Sequence, residues 1–227
     1  MKESEAKSPD TQDRLLQAAG EVFAQHGFRA ATVREISGRA KANVAAVNYH
    51  FGDKGALYAA VLKYALTSVI KKYPPDLDIT SGASPEERLH AFIRSLLYRI
   101  LDEGRPAWHG KLMAREIAEP TGALDELVEE AIKPLYEYLT IIVKELMGGA
   151  AEKETVRLCA MSIIGQCLYY HHARPVILRL YQLKLGRQEV EGLASHITHF
   201  SMGAIKELSK RVSSKTCGEI LTDPLTG

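Results

Sequence analysis

The chain has 227 residues, 46% of them hydrophobic and 25% charged, with a formal net charge of +1. That is ordinary globular composition, long enough to bury a real core as one large domain or as a small domain plus a larger one. No apolar run approaches the roughly 18 residues a membrane span needs. The opening Met-Lys-Glu-Ser-Glu-Ala-Lys has no apolar segment of the kind a secretory signal requires. The cysteines Cys159, Cys167 and Cys217 are sparse and odd in number, which fits a reducing cytoplasm better than a disulfide framework. The near-neutral total hides a basic window. From Arg29 to Lys63, Arg29, Arg34, Arg39, Lys41, Lys54 and Lys63 face only Glu35 and Asp53. A confined basic surface suits contact with a polyanion, although inert surfaces also carry such imbalances.

In chain order, residues 1–9 read as a disordered tail. A first helix starts at Asp10 or Thr11. Its apolar Leu15, Ala19, Val22 and Phe23 share one face, and Gly27 is expected to end it. Thr32-Val33-Arg34-Glu35 is a capping box that opens a second helix, with Val33, Ile36 and Ala40 turned inward. Lys41-Ala42 forms a short turn. Asn43 caps a third helix to about His50, closed by Gly52. Asp53 then caps a fourth, with Leu57, Val61, Tyr64 and Ala65 on one side, until Pro74-Pro75 stops it. Ser84-Pro85-Glu86-Glu87 is a strong start signal for the next helix. Helices are expected over 85–103, 108–117, 123–147 (kinked near Pro134), 153–173 and 188–212. Loops are expected at 74–83, 103–107, 148–152 and 182–188, with a loosely ordered tail after Ser213. No alternation of period two is long enough for a sheet, so the fold class is all-α.

The second helix, a tight turn and a short third helix make a helix-turn-helix. Such a pair braces itself, and its second member fits a major groove about 12 Å wide. Over residues 11–62 the chain also resembles the N-terminal domain of the TetR family. The matching residues are Ala18-Ala19, Phe23, Gly27-Phe28, Thr32, Ile36, Ala40, Val47-Asn48-Tyr49-His50-Phe51, and Lys54 followed by Leu57-Tyr58. The resemblance implies that Thr32, Tyr49, His50 and Lys54 contact DNA phosphates, which positions the protein without reading sequence. It also places Arg34 where some family members reach a guanine. By their chemistry, Asn48 suits adenine, and Val44 and Ala45 suit thymine methyl groups. The family often has a hydroxyl just before the aromatic pair; Ala45-Ala46 supplies none. Each residue has a plainer alternative. Tyr49 would cover the first helix, Arg34 would pair with Glu35 or a neighbouring acid, Val44 would be core, and His50 would be a hydrogen-bonded structural histidine.

Further along, Ala114-Arg115-Glu116, Glu119-Pro120-Thr121, Pro134, Gln166-Cys167 and Arg174 resemble the C-terminal domain of the CecR/CerR-type branch of TetR-like regulators. That implies a helical effector and dimerisation domain without naming the effector. Residues available to line its pocket are Trp108, Arg115, Glu116, Tyr136, Tyr169 and Tyr170, or these are ordinary core and helix surface. The family's last two long helices pack against a symmetry mate, so Ala160, Ile164, Ile197, Phe200 and Ala204 are candidates for a homodimer interface; the alternative is that they serve only the chain's own core. His196 and His199 lie three apart, but a metal would need a third ligand, and no metal or other cofactor is expected.

The expected division is a tail at 1–9, a helix-turn-helix domain at 10–56, a helical ligand-binding and dimerisation domain at 57–212, reached through the long fourth helix, and a tail at 213–227. No HExxH, GxSxG, Walker or GxGxxG motif points to an enzyme, and a protein-interaction module would not explain Tyr49-His50 with Lys54. The expected function is a cytoplasmic transcription regulator, most simply a repressor. Its expected partners are a palindromic double-stranded DNA operator, a second copy of itself and a small-molecule effector, with no membrane partner.

Overall fold

The computed structural model describes residues 10–101, 104, 106–148, 151–181 and 186–220, the last ten of these as helical backbone only. The tail expected at 1–9, residues 221–227 and parts of the three later loops lie outside the described residues. All regular structure among the described residues is helical. None of these helices is long and apolar enough to cross a membrane.

Local capping explains the first four helices. α1 (Thr11–Ala30) starts where the Asp10 carboxylate accepts the Thr11 N–H at 2.6 Å. Gly27, at φ +78°, is a break rather than the expected stop: helical turn resumes beyond it to Ala30, which only a residue without Cβ permits so cheaply. α2 (Val33–Arg39) begins with Thr32 Oγ1 accepting the Glu35 N–H at 3.2 Å. Lys41, at φ +51°, turns the chain into α3 (Val44–Phe51). There Asn43 Oδ1 accepts the Ala45 N–H at 2.9 Å, and Gly52 closes the helix at φ +88°. α4 (Lys54–Lys72) is capped by Asp53, whose carboxylate accepts the Ala56 N–H at 2.8 Å.

The described residues form two compact units. The first holds α1 to α4 as far as Lys71, together with α6 (Ala107–Ala118) and α7 (Ala123–Leu127). Leu15, Ala19, Val22 and Phe23 of α1 meet Ile36, Val47, Leu57 and Val61, all fully buried. α6 adds Leu112 and Trp108 to this core. The indole lies so close to Gly20 that a Cβ there would stand 2.5 Å from its ring.

The helical run expected over 123–147, distorted near Pro134, is built as α7, a wide π-helical turn (Val128–Ile132) and α8 (Lys133–Leu146). Pro134 gives the reason. It has no N–H and its ring opposes the carbonyl one turn back, so the turn before it widens.

The second unit comprises residues 72–101 and the chain from Pro134 onward. α5 (Pro85–Leu101) starts with a complete capping box: Ser84 Oγ accepts the Glu87 N–H at 3.3 Å, and the Glu87 carboxylate accepts the Ser84 N–H at 2.7 Å. The Ser84 hydroxyl, which also donates to that carboxylate at 2.7 Å, and then the Ser84 N–H hold the Glu87 carboxyl below its ordinary pKa. α5 packs on α9 (Lys153–His172) and α11 (Arg187–Ile220), joining Leu89, Ile93 and Leu97 to Ala160, Ile163, Ala194 and Ile197 in one core with α8. α11 continues to Ile220, past the point where the sequence suggested a loose tail. Residues 174–181, to which the sequence assigned no element, form the short α10 (Arg174–Tyr181). Its Pro175 sits in the first turn, where a missing N–H costs nothing.

Candidate nucleic-acid interface

α3 is oriented by Val47, which is fully buried. The opposite face carries Val44, Ala45, Asn48 and Tyr49, at i, i+1, i+4 and i+5, all exposed. Val44 is 45% exposed, so it is not core, and Tyr49 is 85% exposed, so it does not cover α1. His50 is half-buried and packs edge-on against Tyr49, with ring centroids 5.0 Å apart.

Thr32 and Arg34 stand exposed at the start of α2. Glu35 is not the partner that would tie Arg34 down. Its Oε1 lies 3.3 Å from His26 Nε2 and 3.4 Å from Arg39 Nη2. Arg39 also reaches Glu21 at 3.5 Å. Among the described residues Arg34 has no ion pair or side-chain hydrogen bond.

Lys54 has a role the sequence did not suggest. Its ammonium donates to the backbone carbonyls of Ala31 at 3.1 Å and Arg29 at 3.4 Å, and sits 4.7 Å from the centre of the Phe28 ring. A cation there satisfies carbonyls left open at the end of α1 and meets the negative end of its dipole.

The pocket candidates fall into two groups. Trp108, Arg115 and Glu116 belong to the first unit, and Tyr136, Tyr169 and Tyr170 to the second. Glu116 is fully buried and its oxygens are already engaged. Oε2 accepts the Tyr58 O–H at 2.7 Å, and Oε1 accepts the Thr121 N–H at 2.7 Å and hydroxyl at 2.9 Å. Burial, then the Glu116 hydrogen bond and charge, hold the Tyr58 phenol well above its ordinary pKa. Arg115 lies against Gly27, where a Cβ would stand 2.9 Å from Nη1. Tyr136 donates to the Arg157 carbonyl at 3.2 Å, Tyr170 is half-buried, and Tyr169 is 57% exposed.

Two depressions of the second unit are lined by other residues. One, of about 820 Å³, is open and lies between the 77–84 segment, α5 and α11, with His90, Arg94, Thr198 and His199 in its wall. The other, of about 340 Å³, is a groove between α9 and α11 that includes Leu158, Ser162, Phe200 and Ala204.

The interface candidates also divide. Ala160 and Ile197 are buried in the chain's own core, which corrects the expectation that they face a partner: the periodic stripe they belong to is turned toward α5. Ile164 is half-buried, while Phe200, at 62%, and Ala204 are exposed. Leu158, Met161 and Tyr169 of α9 share that exposure, although the sequence offered Tyr169 only as a pocket residue and named none of the three for an interface. His199 Nδ1 lies 2.9 Å from the Ser195 carbonyl. Among the described residues no three His, Cys, Asp or Glu side chains gather as a metal would require. Cys159 and Cys167 are buried free thiols, and burial pushes Cys167 up to about 12.

A braced helix pair that presents an uncharged face beside exposed basic residues, in a chain that also holds a second helical unit, defines the class of helix-turn-helix regulators. Residues 15–61 match the model for bacterial regulatory proteins of the tetR family. Residues 85–205, more than half the chain, match that for the C-terminal domain of the HTH-type transcriptional dual regulator CecR. The chain belongs to the TetR family, in the branch with a CecR-type C-terminal domain; it is a DNA-binding transcription regulator, not an enzyme. It is similar to the HTH-type transcriptional dual regulator CecR of Shigella flexneri, at 28% identity over 76% of this chain and 80% of that protein. The HTH-type transcriptional repressor Rv3405c of Mycobacterium tuberculosis is 28% identical over 54% of this chain and 59% of its own length. A crystal structure of AibR in complex with isovaleryl coenzyme A and operator DNA shares the fold, with a TM-score of 0.61 at 17% identity over 82% of this chain and 97% of that one.

Proposed function

We propose that the protein is a homodimeric repressor that sits on a palindromic operator and is released by a small molecule. In this reading residues 10–56 contact DNA, residues 57–212 hold the effector and the dimer contact, and 1–9 and 213–227 are tails. It acts in the cytoplasm, where its operator is. The observation that carries the DNA half is the outward face of α3 together with Arg34, which has no partner among the described residues. Thr32, Tyr49, His50 and Lys54 hold phosphates, while Arg34, Val44, Ala45 and Asn48 face bases. Lys54 uses two of its three N–H bonds on the carbonyls of Arg29 and Ala31, which leaves one for a phosphate.

Binding to the protein's own promoter DNA, followed by fluorescence anisotropy across a salt series, tests this. Tyr49→Ala is expected to weaken all duplexes alike. Lys54→Ala is expected to flatten the dependence of log affinity on log salt by about one. Because that change also uncovers the carbonyls of Arg29 and Ala31, it should lower thermal stability as well. Unchanged affinity in both variants, with helicity intact, would refute the docking.

Release by an effector is supported by the helical second unit of the family. AibR, which was crystallised with isovaleryl coenzyme A and operator DNA together, is a precedent for one such chain holding both kinds of ligand. Repression is supported by the mycobacterial relative's function, although the Shigella relative is a dual regulator. α4 couples ligand to DNA: it starts at Lys54 and its Tyr58 is gripped by Glu116 on α6. Two recognition helices must stay about 34–36 Å apart to enter successive grooves, so a small change in spacing loses several contacts at once. A hundredfold release needs about 2.7 kcal/mol of differential binding. Once thermal-shift screening finds a ligand, operator DNA must weaken its binding by the same factor. Equal ligand affinity with and without operator would exclude the mechanism.

A further inference from the structure

We infer that α3 reads thymine methyl groups, so that the part of each half-site beneath it is built of A·T pairs and is recognised chiefly by apolar contact. The inference rests on the operator-binding reading above and says which base pairs that operator must hold.

The helix itself supplies the first argument. Val44–Phe51 reads VAAVNYHF and contains no Lys, Arg, Asp or Glu. In the major groove guanine is read at O6 and N7 by Arg or Lys, and cytosine at N4 by carboxylates. α3 offers neither. Its orientation supplies the second. With Val47 fully buried, the face left outward is Val44, Ala45, Asn48 and Tyr49. The first two sit in the opening turn, the part of a recognition helix that meets base edges. Asn43 cannot make the two-point contact that reads adenine there, because its Oδ1 already accepts the Ala45 N–H at 2.9 Å. His50 is half-buried against Tyr49. What the opening turn presents is therefore the branched methyls of Val44 and the Cβ of Ala45. The one apolar group on the major-groove edge of any base pair is the thymine C5 methyl. One turn on, the Asn48 amide has the donor and acceptor that match adenine N6 and N7. Arg34, which has no partner among the described residues, lies on α2 and is not part of the face α3 presents.

Deoxyuridine isolates the claimed contact, since it differs from thymidine only by lacking the methyl. The full-length protein should first select from a pool of duplexes of about 30 base pairs with a randomised centre, long enough for two half-sites a turn apart. Each thymine of the selected duplex is then replaced singly by deoxyuridine. One or two thymines per half-site are expected to lose affinity on the order of fourfold each, the worth of one buried methyl. Val44→Ala, with its circular dichroism unchanged, is expected to bind the thymine duplex more weakly and to lose sensitivity at one of those positions. Asn48→Ala is expected to relax discrimination at a neighbouring A·T pair. The inference is overturned, with the operator reading intact, if a sequence is selected but no thymine is sensitive, or if Val44→Ala leaves every sensitivity unchanged. It falls together with the operator reading if no sequence is enriched at all.

Discussion

Gly20→Val is expected to lower the melting temperature by about 6–12 °C, more than any surface substitution in the chain. A Cβ built at Gly20 stands 2.5–2.6 Å from three ring carbons of Trp108. The indole is only 7% exposed and is packed on α1 with Leu112 of the same helix, so it has little room to withdraw. Overpacking of a dense core costs up to about 3 kcal/mol, occasionally more. In a chain of this size each kcal/mol moves the transition by about 2–4 °C. Gly38 provides the control. It lies inside α2 at an ordinary φ, and a Cβ there meets nothing within 4 Å. Gly38→Ala is therefore expected to be neutral or to stabilise by up to about 1 kcal/mol, the helix-propensity difference. Trp108→Ala alone is expected to cost about 3–5 kcal/mol, and combined with Gly20→Val it should cost less than the sum of the two, because the clash partner is gone. A Gly20→Val protein that melts like the parent would mean that α6 does not dock on α1 through this indole.

Much of the DNA-binding unit was legible because its signals are local. The caps at Thr32, Asn43 and Asp53, the closing Gly52, and the inward stripe of Leu15, Ala19, Val22 and Phe23 depend on residues within a few positions of one another. What escaped the sequence depends on distance along the chain. Lys54 meets carbonyls 23 and 25 residues earlier, and Glu116 meets Tyr58 across 58 residues. A buried carboxylate that folding has already satisfied reads, in sequence, like an anchor waiting for a ligand. The stripe on the last long helices raised a different problem. Periodicity finds an apolar face but does not say whether the chain or its partner covers it, so Ala160 and Phe200 looked alike although one is buried and the other exposed. α10 was missed because eight residues with a proline near the start give too short a period to register.

Phe200→Asp combined with Leu158→Glu is expected to convert the proposed dimer to monomers and to cost about 10²–10⁴ in operator affinity. Phe200 is 62% exposed and Leu158 51%, on the groove between α11 and α9. Met161 and Tyr169 extend the apolar exposure along α9. Gly165 and Gly203 have open space where a Cβ would be, which lets another helix come close. Large apolar side chains gathered on two long helices favour burial against a second copy, and a two-fold partner matches a two-fold operator. Carboxylates at both positions would have to be stripped of water to enter that contact, which opposes assembly without touching the chain's own core. Once one half-site is bound, a dimer makes the second binding step intramolecular; losing that link removes the gain of about 10²–10⁴ that such coupling supplies. The choice of positions matters. A charge at Ala160, buried beside α5, would report on folding rather than assembly. Sedimentation of the double variant should give the monomer mass with unchanged helicity, and anisotropy should show weak binding to single half-sites and palindromes alike. A parent protein that sediments as a monomer yet binds the palindrome tightly would end the dimer model, as would a double variant that keeps full operator affinity.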